Sequence, residues 1–164
     1  EPQILGGSQE MGLRAGTESV PLVVGLFEAL KLAEKIKHRE NKRQTQLRDY
    51  FIENVLKSIE GVYVNGHPRR RLPNNINISV RGVEGESLLL MLDKYGIFCS
   101  TGSACSSTDL TPSYVLYAIG TPMELAQGSI RITLGRDTNK EKLDYVLQVF
   151  PQVVKKLRKI SSVK

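Results

Sequence analysis

Asn75-Ile76-Asn77-Ile78-Ser79-Val80 is the stretch that decides the fold. Its apolar side chains fall on every second residue, the period of a strand with one face buried and one face wet. The spacing predicts a half-buried strand over 75–80, with Ile76, Ile78 and Val80 inward and Asn77 and Ser79 outward. Ser129-Ile130-Arg131-Ile132-Thr133-Leu134 repeats the pattern, with Ile130, Ile132 and Leu134 on one face and Ser129, Arg131 and Thr133 on the other. Upstream, Val62-Tyr63-Val64 runs into Asn65-Gly66, a turn signal. The loop from there to Asn75 is too short to hold a crossover helix, so the sheet is expected to be mostly antiparallel. Ile97 to Cys99 is predicted as one more brief strand.

Helical periodicity surrounds these strands. Ser19 followed by Pro21 is a good helix start, because proline in the first turn gives up no needed hydrogen bond. Leu22, Leu26, Leu30, Ala33 and Ile36 follow at helical spacing, and Leu47, Tyr50, Asn54 and Ile59 resume after a polar stretch. One long helix is predicted, bent or interrupted near 38–44 and capped at Gly61. Shorter helices are predicted over 86–95, closed at Gly96, from Pro112 to Ile119, and over 123–127. A closing amphipathic helix runs to Leu157, capped by Thr138 or Asn139. Residues 1–19 are glycine-rich and lack an apolar period, so they form an arm with specified turns. Residues 100–111 are the least structured stretch. The expected class is a two-layer α/β domain, a short mostly antiparallel sheet covered by helices.

Composition narrows the function classes. The 164 residues, 40% of them apolar and 24% charged, describe a globular chain able to bury a core. No apolar run approaches the roughly 18 residues of a membrane span. The chain begins at Glu1 without an initiator methionine, which suggests a fragment or a processed product. Two cysteines, Cys99 and Cys105, exclude a disulfide scaffold and favour a reducing compartment, so a cytoplasmic localisation is expected. Two cysteines and two histidines at these spacings also disfavour a structural zinc site, and no metal is expected. The 23 basic residues against 17 acidic leave +6, collected in Arg69-Arg70-Arg71 and in Lys155, Lys156, Arg158, Lys159 and Lys164. No aromatic residues are interleaved with that charge, as single-strand binders require, so a basic RNA-binding domain is the weakest candidate.

Three places could carry chemistry. Cys105 sits among small polar neighbours, and no apolar stripe claims it, unlike Cys99, which follows Ile97-Phe98 as a core thiol would. An exposed thiol on a mobile loop suits a nucleophile that reaches a buried substrate and leaves with its cargo; a tolerated surface thiol is the competing description. Arg131, at the centre of a strand, could present a bidentate fork to a carboxylate or be a solvated strand arginine. Arg14-Ala15-Gly16-Thr17 could place a hydroxyl and backbone amides near a helix start, where anions bind.

Taken together the segments resemble a known family. Gly6-Gly7-Ser8-Gln9-Glu10 with Arg14-Ala15-Gly16-Thr17-Glu18, Leu72-Pro73-Asn74-Asn75-Ile76-Asn77 and Val83-Glu84-Gly85-Glu86-Ser87-Leu88 look like the cysteine desulfurases of the NifS/IscS type. So do Ser103-Ala104-Cys105 with Pro112-Ser113-Tyr114-Val115-Leu116, and Ser129-Ile130-Arg131 with Leu134-Gly135-Arg136. The resemblance runs from about residue 4 to 160, in order.

The resemblance implies a homodimeric pyridoxal 5'-phosphate enzyme of the aspartate-aminotransferase fold (fold type I) that takes sulfur from L-cysteine, leaves L-alanine and holds the sulfur as a persulfide. Cys105 matches the persulfide cysteine, Arg131 the arginine for the substrate carboxylate, and Thr17 the threonine that reaches the cofactor phosphate of the other subunit. The longer loop at 100–111 resembles that of the subgroup handing sulfur to iron-sulfur scaffold proteins. Residues 1–19 would be an arm of the large domain and 20–164 the small C-terminal domain. One departure is large: the family anchors its cofactor on a lysine directly after a histidine, and here Arg39 follows His38 and Pro68 follows His67. The alternative to an enzyme's C-terminal part is therefore a non-enzymatic persulfide relay or scaffold-docking module built on Cys105.

Overall fold

The computed structural model describes residues 1–101 and 113–160. These fall into two compact units, Glu1–Arg39 and Glu40–Lys164, with the division inside the first long helix.

The first unit opens on a folded loop. An isolated parallel bridge joins Ile4 to Arg14, and between them Glu10–Gly12 form a 3-10 turn in which Glu10 and Met11 take positive φ. Helix α1 then begins at Val20, with Ser19 O accepting from Val23 N at 3.1 Å. It runs without interruption from Val20 to Ser58, through the 38–44 segment where a bend or break was expected. Leu22, Leu26 and Leu30 are exposed, as are Val23, Val24 and Phe27.

The second unit carries the sheet. Strand β1 spans Val62–Val64, β2 spans Asn75–Val80 and β3 spans Ser129–Thr133, in the order β1-β2-β3 with both pairings antiparallel. Val62 lies opposite Val80, and Ile78 opposite Ile130. The remaining helices are α2 (Gly85–Asp93), α3 (Tyr114–Ala118), α4 (Met123–Gln127) and α5 (Lys140–Ile160). Asn139 caps α5, its Oδ1 accepting from Lys142 N at 2.9 Å, which satisfies one of the orphan amides of the first turn.

One face of the sheet makes the core. Ile76, Ile78, Val80, Ile130 and Ile132 pack with Phe51 and Val55 of α1, Leu88 and Leu92 of α2, and Phe150, Val153, Val154 and Leu157 of α5. The core stripe of α1 is thus Phe51 and Val55; of the expected Leu47, Tyr50, Asn54 and Ile59, only Ile59, just past the helix end, is buried, and the other three are half-buried. The difference is about one residue of helical phase, within which both sets are helical-periodic. The strand expected over 97–99 does not form. Ile97 turns inward, and only Ser100 pairs, through an isolated bridge to Arg131.

Two glycines fix close approaches. A Cβ on Gly128 would lie 2.3 Å from Val80 O, and one on Gly85 2.6 Å from Ser129 O. Nothing lies within 4 Å of the corresponding point on Gly135. Gly128→Ala is therefore expected to cost about 2 kcal/mol, in the range of an overpacked interior, while Gly135→Ala stays within about 0.5 kcal/mol. Urea denaturation midpoints at unchanged slope measure the difference; equal midpoints for the two variants would contradict the packing at Gly128.

Candidate active site

The outward face of the sheet gathers the polar residues. The backbone of Asn65 continues β1, its N–H donating to Asn77 O at 2.9 Å. Arg131 exchanges both backbone bonds with Ser100, Ser100 N to Arg131 O at 3.0 Å and Arg131 N to Ser100 O at 2.6 Å. Asn77 lies directly opposite Arg131. Asn65, Asn77, Arg131 and Ser100 therefore form one row across four chain segments, all on the face away from the isoleucine core.

Arg131 stands at the centre of β3, exposed between buried Ile130 and Ile132, as the alternation predicts. Its guanidinium has no hydrogen-bond or ion-pair partner among the described residues. A strand arginine without a carboxylate partner keeps its planar fork free for one.

The rest of the row is held from beneath. Asn65 Nδ2 donates to Asn77 Oδ1 at 2.7 Å and to Ser79 Oγ at 2.9 Å; Asn65 and Ser79 are both buried. Buried amides are stable only when so satisfied. Asn65 in turn is fixed by Arg71, which donates to Asn65 O and to His67 O, the latter at 3.1 Å. Burial, then the neighbouring Arg48 charge, lower the Arg71 pKa. Arg48, buried against Asp49 at 2.7 Å, donates to Leu72 O at 3.0 Å and so ties the 65–74 loop to α1.

Thr17 lies in the first unit, exposed in the segment just before α1. Around it Arg14 Nη1 donates to Gly16 O at 2.7 Å, and Gly16 N donates to Gln9 Oε1 at 3.2 Å. The Gly16 amide is thus engaged within the loop, and the Thr17 hydroxyl meets no partner among the described residues. Thr17 and Arg131 belong to different units. Cys105 lies outside the described residues. The other thiol, Cys99, is half-buried at the core's margin; burial and then the Asp93 charge push it up to about 11. At neutral pH it is a thiol and a poor nucleophile, in line with the core role expected of it. Sequence reasoning did not single out Asn65, Asn77 or Ser100. The signal for Asn77 was its place on the outward face of a strand, but its position opposite Arg131 required the register.

Comparison with known proteins gives this site a setting. The family model for class-V aminotransferases matches residues 6–146, and the chain belongs to that family. Within it, the chain is similar to proteins named cysteine desulfurase IscS: 55% identical over 163 residues to that of Dictyoglomus turgidum, covering 99% of this chain and 41% of that one. It is 49% identical over 161 residues to that of Methanosarcina thermophila, covering 98% and 40%. Among solved structures it resembles a NifS-like protein at 30% identity and a TM-score of 0.80, over 95% of this chain and 39% of the other. The NifS-like protein of Rickettsia africae matches at 25% identity and a TM-score of 0.79, over 94% and 40%. The two-layer α/β architecture accordingly belongs to the fold of the pyridoxal-phosphate enzymes. The chain spans about two-fifths of the length of these relatives.

The residues present fit only part of a pyridoxal-phosphate site. The Thr17 hydroxyl has no partner among the described residues, but no lysine of this chain follows a histidine. Lys31, Lys37, Lys57 and Lys140 are held at the surface in ion pairs with Glu28, Glu34, Glu53 and Asp144. The hydrogen bond to Asp144 raises the Lys140 pKa, the opposite of what an amine that must add to a carbonyl at neutral pH requires. Borohydride added to this chain with pyridoxal phosphate is expected to fix no cofactor at one-to-one stoichiometry. A stoichiometric visible band, locked by reduction onto one lysine, would overturn that expectation.

Proposed function

We propose that this chain is the substrate-carboxylate and sulfur-handling part of a cysteine desulfurase, working with a large domain that anchors pyridoxal phosphate. The observation that carries the reading is Arg131: an exposed guanidinium free of partners among the described residues, on the open polar face of the sheet, in a chain 55% identical to a cysteine desulfurase. Arg131 binds the α-carboxylate of L-cysteine, and Cys105 takes the sulfur. In atoms and electrons, the Cys105 thiolate forms an S–S bond with the substrate sulfur while the substrate C–S bond breaks. The bonding pair stays with carbon, which is protonated, so L-alanine leaves and a persulfide remains on Cys105. The substrate sulfur is oxidised and its carbon reduced, so no further oxidant is needed. The cofactor, when bound, supplies the electron sink for this bond cleavage.

Residues 1–19 are the arm belonging to the large domain, 20–164 the small domain, and Thr17 reaches the cofactor phosphate of a second subunit in a homodimer. The exposed Val23, Leu26, Phe27 and Leu30 support a large apolar body packing on this part of α1. An iron-sulfur scaffold in the cytoplasm is the proposed acceptor, and this chain alone is inactive as a desulfurase. A relay module using Cys105 without a cofactor is the second reading; the lack of a His-Lys pair favours it.

The test is Cys105→Ser in the chain assembled with its large domain and given pyridoxal phosphate and L-cysteine. Alanine formation is expected to fall by at least ~100-fold, as loss of a covalent nucleophile does, and the mass gain of one sulfur on the chain to disappear. A serine variant that still acquires sulfane sulfur at the parent rate would refute the role of Cys105. Persulfide formation on Cys105 by the chain alone, from a persulfide donor and not from cysteine, would favour the relay.

A further inference from the structure

Backbone pairing decides how close two side chains of the polar row come. Asn65 N–H bonds to Asn77 O, so the backbone groups of Asn77 turn toward β1. Both backbone groups of Arg131 turn the other way, to Ser100. Asn77 and Arg131 are therefore opposite one another without exchanging a backbone bond. In antiparallel sheets such pairs bring the Cα atoms to about 4.5 Å and the side chains closest together.

The orientation of the Asn77 amide is also fixed. Its Oδ1 accepts from Asn65 Nδ2, which Ser79 Oγ holds from the buried side. With the oxygen taken from the β1 side, Nδ2 and its two hydrogens remain, and they have no partner among the described residues. Asn77 is half-buried, so its amide borders the open face. Beside the Arg131 fork there is thus a second, neutral donor, turned by a buried network and facing the same space. An oxyanion is the group that two such donors recognise together, since neither guanidinium nor amide nitrogen accepts.

We propose that Asn77 is a substrate-binding residue, donating from Nδ2 to the α-carboxylate of the amino-acid substrate beside Arg131, with Asn65 holding its amide nitrogen outward. This assignment rests on the carboxylate role proposed above for Arg131. Arg131 supplies the charge and the bidentate fork, and Asn77 adds a donor from the neighbouring strand to a carboxylate lone pair that the fork leaves open, which holds the anion against sliding off the guanidinium. The same pair discriminates against amines that lack a carboxylate, which would leave the guanidinium facing no anion.

The experiment uses the chain assembled with its large domain and cofactor, and compares Asn77→Leu with Arg131→Ala. Leucine keeps the volume of asparagine and removes the donor. KM for L-cysteine is expected to rise about tenfold in Asn77→Leu, the weight of one hydrogen bond to a charged group, with kcat within about twofold of the parent. Inhibition by ethylamine, which carries the amine of alanine without its carboxylate, should be unchanged by the same substitution, a selectivity that a merely structural role of Asn77 would not produce. If Asn77→Leu melts well below the parent, Asn77→Ala repeats the comparison without the apolar bulk. A KM unchanged in Asn77→Leu while Arg131→Ala raises it would overturn the assignment of Asn77 and leave that of Arg131 standing. A KM unchanged in both would overturn the carboxylate site itself.

Discussion

The register of β2 against β3 is the constraint on which the rest of this chain depends. Placing Ile78 opposite Ile130 and Ile76 opposite Ile132 turns five branched side chains to one face, where Phe51, Leu88 and Phe150 close over them. The same register places Asn77 opposite Arg131 on the other face. Because side chains alternate, a slip of one residue would exchange the two faces, exposing the isoleucines and burying an unpaired guanidinium. The apolar core thus fixes the polar row, and at each strand position stability and function are separated by one residue.

Support for the row comes from outside the sheet. The 65–74 loop returns to it through Asn65 and is itself held by Arg71 and by the buried Arg48 of α1, so bonds from outside the sheet support the asparagine that orients the Asn77 amide. Gly85 lets α2 pass against the backbone of Ser129, and Gly128 lets the start of β3 pass against the carbonyls of Val80 and Val83, where a side chain would force the backbones apart. Arg131, without a side-chain partner among the described residues, stands at the centre of a strand between buried Ile130 and Ile132. A guanidinium on so packed a strand is held in place by its backbone, as orienting a small anion requires.

Much of this was legible in the residues. The alternation in 75–80 and 129–133 gave the strands, the inward isoleucines and the exposure of Arg131, because a two-residue period leaves little choice of phase, but Ser79 and Ser129, expected on the wet face, are buried. Asn139 as the cap of α5 and Gly61 and Gly96 at helix ends followed from the conformations those residues tolerate. The phase of α1 was not legible: Leu47, Tyr50 and Asn54 and the observed Phe51 and Val55 both satisfy a helical period, and only the sheet decides which faces inward. The expected strand at 97–99 reduced to one bridge at Ser100, since apolar residues at an element's edge pack inward without a ladder. Asn65 and Asn77 escaped notice because asparagine beside glycine or in a strand reads as a turn signal or a wet face. Their meaning lies in pairing between segments twelve residues and more apart, which no local pattern encodes.

The central claim is that the open face of this sheet holds the carboxylate of an amino-acid substrate. Its most direct test is a crystal structure of the chain with its large domain and L-alanine bound. The alanine carboxylate is expected within hydrogen-bond distance of the Arg131 guanidinium, on the face that carries Asn77. A carboxylate bound elsewhere, with Arg131 paired to an acidic residue of the protein, would contradict it.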